Sequence, residues 1–236
     1  SPNRSWTSPL SRDTNLIAHW KFDEANGNAL DYSGNGYTGT LYGPERVVTI
    51  GTNKAMYYDA AGADYISTPS FAIPDTGILT IEAWMKSKLD VAKFQGIISD
   101  AAQADTIGFL WLHRYINSNG IMWQYASTTT IGQGNILFPN FFQNLDNQYI
   151  HIVMVCDYTN KTLKAYRNGI QFGATQNLTG TPVFPSANRV KYIGAYRSSL
   201  HRLTDGSLDE VRIYNRGLSA EEVSSIYNAT KSKYGY

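Results

Sequence analysis

The chain has a single cysteine, Cys156, so no internal disulfide framework can staple it. One thiol leaves the redox compartment open. It sits in the apolar run IHIVMVCD, which predicts a buried core group. Neither charge sign dominates: 20 Lys and Arg against 19 Asp and Glu leave a net charge of +1. That balance excludes the basic footprint of a nucleic-acid binder. No apolar run approaches the roughly 20 residues of a membrane span. No leader pattern is seen and the chain does not begin with Met, which predicts a processed product or an excised domain. Internal repeats, heptads and dividing linkers are missing as well. A Gly-X-Ser-X-Gly elbow, a phosphate-cradling loop and clustered zinc ligands are not found. What is plentiful is tyrosine, at 17 of 236 residues. Tyrosine suits strands, and it suits surfaces that stack on sugars or adhere to proteins.

The pattern is short strands separated by turns. Residues 16–22 alternate Leu16, Ala18, Trp20 and Phe22, with Phe22 turning out of phase. Asp23 and Glu24 follow, then the loop ANGNALDYSGNGYTG. Such a loop offers the hard oxygen ligands that calcium takes, or it is a turn-dense connection needing positive φ at Gly and Asn. Residues 78–86 form a central strand, with Glu82 and Trp84 on one face; Trp84 reads as core and Glu82 as hydrogen-bonded near an edge. Two strands in 108–126 flank Asn117-Ser118-Asn119-Gly120, a hairpin signal. In the first, Phe109, Trp111, His113 and Tyr115 share a face, opposite Leu110, Leu112 and Arg114. In the second, Ile121, Trp123 and Tyr125 oppose Met122, Gln124 and Ala126. Phe138, Phe141 and Phe142 predict that the insertion 127–147 folds onto the body. Asn168-Gly169 marks another hairpin. In 206–227, apolar residues Leu208, Val211 and Ile213 mark a strand. Ser219 with Glu222 is a capping box opening a short helix, whose buried face holds Val223, Ile226 and Tyr227. The pair Asp209-Glu210 is either solvated or holds something.

Four stretches, in order, resemble the laminin-G-like, concanavalin-A-like jelly-roll family: LIAHWKFDEANGNALDYSGNGYTGTL, LTIEAWMKSK, YIHIVMVCDYTNKTLKAYRNGI and GSLDEVRIYNRGLSAEEV. Tyr149 is a mild departure, standing where that family usually has Trp. The resemblance implies an all-β fold, a two-sheet antiparallel β-sandwich with one short C-terminal helix. The resemblance covers a jelly-roll domain at 16–228; before it, the two prolines and polar residues of 1–15 predict an extended arm or linker, and after it residues 229–236 are expected to form a flexible tail that frays or contacts a partner. The resemblance implies one structural Ca2+, with Asp23 and Asp209 as candidate ligands joining the two chain ends. Leu110, Leu112, Ile121 and Trp123 fit the family's core side. Trp111, His113, Met122 and Gln124 then lie on the outer, concave face. Trp111 beside His113 and Gln124 is the composition of a sugar platform: a ring that stacks on a pyranose, with polar neighbours for its hydroxyls. The alternative is that a loop covers Trp111.

The same scaffold carries glucanases and lyases, so fold does not settle catalysis. The Glu-X-Asp-X-X-Glu signature of bacterial glucanases is missing. Glu82 has no acidic residue at i+2 or i+4, and neighbours Asp209 and Glu210 are expected on opposite faces. In a strand Arg114 faces away from His113 and Tyr115, which disfavours a lyase triad. The expectation is a non-catalytic, lectin-like domain of a secreted or surface protein, binding polysaccharide or glycan, without nucleic acid or membrane insertion, and multivalent through a larger assembly. The alternative is a structural or adhesive domain, on a virion or a cell-surface filament, binding protein through its arm and faces.

Overall fold

A computed structural model describes residues 13–59, 61–88, 94–100, 110–115, 118–127, 133–196 and 201–236. Trp6 and the expected arm up to residue 12 lie outside the described residues, as do Phe109, Asn117 and Arg197. The strands, in chain order, are β1 (Leu16–Trp20), β2 (Thr40–Tyr42), β3 (Glu45–Val48), β4 (Lys54–Tyr58), β5 (Tyr65–Ser67), β6 (Ile78–Ser87), β7 (Gln95–Ser99) and β8 (Leu110–Tyr115). They continue as β9 (Gly120–Ala126), β10 (Gln133–Phe138), β11 (Tyr149–Asp157), β12 (Thr162–Arg167), β13 (Ile170–Gln171), β14 (Gln176–Asn177), β15 (Tyr192–Ile193) and β16 (Gly206–Tyr214). Helix α1 (Ala220–Thr230) and a 3-10 turn (Lys231–Tyr234) close the chain.

The strands form two antiparallel sheets. One has nine strands, ordered β13-β12-β11-β6-β16-β4-β3, with β1 beside β16 and β14 beside β12. The other has seven, ordered β10-β9-β8-β7-β15-β5-β2. Their inner faces share one core. The nine-stranded sheet gives Ile81, Met85, Ile152, Leu208 and Ile213; the seven-stranded sheet gives Ile66, Ile98, Leu112, Ile121 and Trp123. This is the expected sandwich, and Leu110, Leu112, Ile121 and Trp123 fall on its core side. Phe138, Phe141 and Phe142 are buried in it too, as is Cys156. Burial pushes the Cys156 thiol well above its ordinary pKa. At the β12–β13 hairpin Asn168 and Gly169 both have positive φ, 51° and 82°, the type I′ geometry that Asn-Gly favours.

Helix α1 covers the outer face of the nine-stranded sheet. Ser219 Oγ accepts from Glu222 N at 3.2 Å, and the Glu222 carboxylate accepts from Ser219 N at 2.8 Å, completing the capping box. Val223 packs with Val153, Tyr166 and Tyr214 on that face. The tail after the helix folds back rather than fraying. Tyr234 stacks on Trp84 at 4.0 Å between ring centroids, and the Trp84 indole N–H donates to Thr230 Oγ1 at 3.1 Å. Trp84 is therefore buried beneath the C-terminus and not in the sandwich interior. Glu82 lies on central strand β6, between β11 and β16, and not near an edge.

Candidate functional site

The outer face of the seven-stranded sheet is set by the register of its strands. Trp111 on β8 pairs with Gln124 on β9, and His113 with Met122. Leu112 and Trp123 pair on the opposite, core side. Alternation thus brings Trp111, His113 and Gln124 onto one patch, as the sequence suggests. The Trp111 and His113 rings stack at 3.8 Å. The patch is not an open platform, however. Tyr196 stacks on Trp111 at 4.2 Å, and Phe94 and Val183 pack against the same cluster. Trp111 is 7 % exposed, His113 1 % and Gln124 9 %. The expectation of an exposed Trp111 ring is thus corrected: loop residues from distant parts of the chain cover it.

Burial leaves specific polar atoms without partners. Gln124 Nε2 donates to Asn135 Oδ1 at 2.7 Å, yet its Oε1 has no partner. Trp111 Nε1 and His113 Nε2 are likewise buried and unpaired. Each unsatisfied group costs about 1–3 kcal/mol. Desolvation drives the His113 pKa down to about 3, so the ring is neutral at physiological pH. Beyond β7 the same face opens. Tyr42 on β2 pairs with Tyr65 on β5, and their rings stack at 4.6 Å and 10°. Tyr65 meets Tyr192 of β15 edge-on at 6.1 Å. Tyr42 is exposed, while Tyr65 and Tyr192 are half-buried. Leu41, Ile66 and Ile193, which alternate with them, point into the core. This ladder was not identified from sequence, because its members come from three distant two- or three-residue strands; the high tyrosine count was the one signal.

The structure does not bring Asp23 and Asp209 together as a calcium pair. Asp209 is fully buried on β16: its Oδ2 accepts from the Tyr234 hydroxyl at 2.5 Å and its Oδ1 from Glu210 N at 2.8 Å. Desolvation raises its pKa well above the carboxylate range, against the pull of the Tyr234 hydrogen bond. Asp23 accepts from Lys54 N at 2.9 Å and lies 3.5 Å from Lys233 Nζ. The same ammonium lies 2.5 Å from Glu210 Oε1. A lysine thus joins the first and last strands where calcium was expected, and the donor set does not fit the ion. The Asn- and Gly-rich loop is also committed. It wraps Asp31, whose carboxylate accepts from His19 N, Ser33 N, Ser33 Oγ and Tyr37 N at 2.8–3.0 Å.

A β-bulge explains how Glu210 reaches Lys233. The β16–β6 register shifts between Asp209 and Arg212, and Glu210 has a φ of 49°. The extra residue puts Glu210 and Asp209 both against the C-terminal tail, not on opposite faces. Glu210 Oε2 also meets His19 Nε2 at 2.6 Å and the Arg212 guanidinium. Burial raises the Glu210 pKa, but His19 and Arg212 outweigh it and hold the carboxyl far below its usual range. Arg212 reaches across to Glu82, whose Oε1 is 3.3 Å from His151 Nε2. The two carboxylates, 82 and 210, are therefore spanned by one guanidinium in a closed ion network.

The family model for a laminin G-like domain, described as the concanavalin A-like lectin/glucanases superfamily, matches residues 60–224. The chain belongs to this superfamily. Among solved structures, the concanavalin A-like fold here is similar to the receptor binding domain of botulinum neurotoxin C/D mosaic serotype. The TM-score is 0.67 and the identity 14 %, with 91 % of this chain and 51 % of that one covered. It is similar to the botulinum neurotoxin serotype G binding domain, at TM-score 0.67, 18 % identity and coverage of 92 % and 52 %. A third structure is the serotype D ligand binding domain in complex with N-acetylneuraminic acid, at TM-score 0.65, 15 % identity and coverage of 91 % and 51 %. The chain thus spans about half the length of these structures. No curated protein matches it in sequence. No helix among the described residues is long and apolar enough to cross a membrane.

Proposed function

We propose that this concanavalin A-like domain is a non-catalytic carbohydrate-binding module, extracellular or surface-exposed, which holds glycan on the outer face of the seven-stranded sheet. The observation that carries this reading is the trio of buried, unpaired polar atoms on one patch: Trp111 Nε1, His113 Nε2 and Gln124 Oε1. Tyr196 covers these atoms, so a sugar reaches them only by displacing it; its adjacent hydroxyls, which both donate and accept, then satisfy the indole donor and the amide acceptor together. Both faces of Trp111 are stacked, so the indole contributes its N–H edge and the open tyrosines contribute stacking. A shallow site of this kind binds in roughly the micromolar-to-millimolar range. Useful adhesion then needs several copies on one assembly. The commitment of Glu82 and Glu210 to Arg212, His19, His151 and Lys233 supports a non-catalytic role. Neither carboxylate is open to act as acid or nucleophile.

A glycan array on the whole chain tests the reading, followed by Trp111→Phe, which keeps a ring and removes the N–H. Binding by the parent and its loss in a still-folded Trp111→Phe chain is expected. A parent chain silent on every glycan overturns it. The covered state of Trp111 favours the second reading, an adhesive or structural domain that docks protein through its faces and N-terminal arm.

A further inference from the structure

Apart from the Arg212 network, the sandwich buries a further ion pair. Strands β7 and β15 are antiparallel, with Tyr192 opposite Ser99 and Ile193 opposite Ile98. The next step in that register sets Lys191 beside Asp100. Alternation aims both inward, on the side of the core residues Ile98 and Ile193. Both side chains are 0 % exposed, and Lys191 Nζ lies 3.9 Å from Asp100 Oδ2. No hydrogen bond reaches that oxygen. The other, Oδ1, accepts from Leu110 N at 2.5 Å. Lys191 Nζ donates to the carbonyls of Phe71 at 3.0 Å and Arg189 at 3.1 Å, and stands 4.6 Å from the centre of the Phe71 ring. Two of its hydrogens are thereby held, and one tetrahedral position of the nitrogen is left.

A buried pair of this kind is costly as ions. Burial lifts the Asp100 carboxyl to about 6, against the pull of Lys191. Burial likewise lowers the Lys191 amine to about 8, against the pull of Asp100. Desolvation thus enlarges the share of neutral acid facing neutral amine. The neutral amine has two N–H groups, which the two carbonyls hold, and a lone pair free to attack carbon. The carboxyl is polarised for that attack, because a backbone N–H holds Oδ1. We propose that Lys191 and Asp100 condense into an intramolecular amide, Nζ to Cγ, which ties β15 to β7. The Nζ–Cγ bond forms and the Cγ–Oδ2 bond breaks. A proton from Nζ joins the departing Oδ2 hydroxyl, and one water leaves. No oxidant, reductant or cofactor takes part. Packing supplies the high effective concentration that an amine and an acid lack in solution. The product removes two buried charges and an unpaired oxygen. No reductant opens such a bond, so a chain with one cysteine gains a covalent staple that a disulfide gives others.

Intact mass spectrometry of the purified whole chain, fresh and after prolonged storage at pH 7, tests this together with a tryptic map. The stored parent is expected to be lighter than its sequence mass by one water. Trypsin is expected to leave the Lys191–Tyr192 bond uncut, because the amide removes the charge the protease reads. The map is then expected to hold one branched peptide containing residues 100 and 191. Lys191→Arg keeps the positive charge and is expected to show the full mass of its own sequence. A water lost from Lys191→Arg as well is a succinimide at Asp100-Ala101 and overturns the proposal. A stored parent of full mass overturns it, and so does a map in which Lys191 is cleaved throughout. The parent's mass and map decide the matter even where the variant fails to fold, and neither result bears on the glycan reading.

Discussion

Lys233 allows the sharpest test of how the chain ends are joined. Replacing it with Met keeps the aliphatic stem over the tail and deletes the ammonium that Asp23 and Glu210 share. The Lys233 side chain is 22 % exposed and that of Glu210 3 %. A surface pair is worth at most about 1 kcal/mol, whereas breaking a buried one costs about 3–5 kcal/mol. A lysine with one side in water lies between, and Glu210 keeps His19 and Arg212 after the loss. We therefore expect about 2 kcal/mol. For a chain of this size that is a fall of about 4–8 °C in melting temperature. Circular dichroism melts at pH 7, in calcium and in EDTA, measure it. The parent is expected to melt identically in both solutions, because an ion bound only by the native state would raise stability by mass action. A parent stabilised by calcium, or a Lys233→Met chain that melts with the parent, refutes the reasoning.

Two further outcomes follow from buried groups. Burial holds the His113 pKa down to about 3, so below pH 6.5 the unfolded chain takes a proton that the folded one refuses. Stability therefore falls as pH drops, by about 2 kcal/mol between pH 6.5 and 5 from this group; His113→Asn is expected to flatten that part of the slope in urea titrations, and an unchanged slope removes the claim. Gly194 has a φ of 80°, and a Cβ there would meet the buried Tyr58 ring at 2.1 Å. Gly194→Ala is expected to cost about 2–4 kcal/mol from overpacking and left-handed backbone, and a chemical midpoint within error of the parent counts against it.

Much of the fold was legible because alternation is a local signal. The Leu110, Leu112, Ile121 and Trp123 faces, the Ser219–Glu222 cap and the Asn168-Gly169 turn each depend on residues close in sequence. Even the bulge left a trace: Leu208 and Val211 both face the core at a step of three, not two. What failed depends on contacts far apart in the chain. Trp111 is covered by Tyr196 and Phe94, which no spacing reveals. Asp23 finds Lys233 across 210 residues, and one of two lysines in an apparently loose tail gives no hint of that role. The tyrosine ladder assembles from strands too short to show a period.

Strand β16 has β6 along one edge and β4 then β1 along the other, yet it is the last strand made. A ribosome that has synthesised the first 205 residues has built both sheets' other strands but not the one that joins β1 and β4 to β6. Contacts of such sequence separation form late and slowly. The nine-stranded sheet therefore closes only after the C-terminal segment emerges, and until then the nascent chain exposes the β6 edge to whatever chaperone or neighbouring chain is at hand.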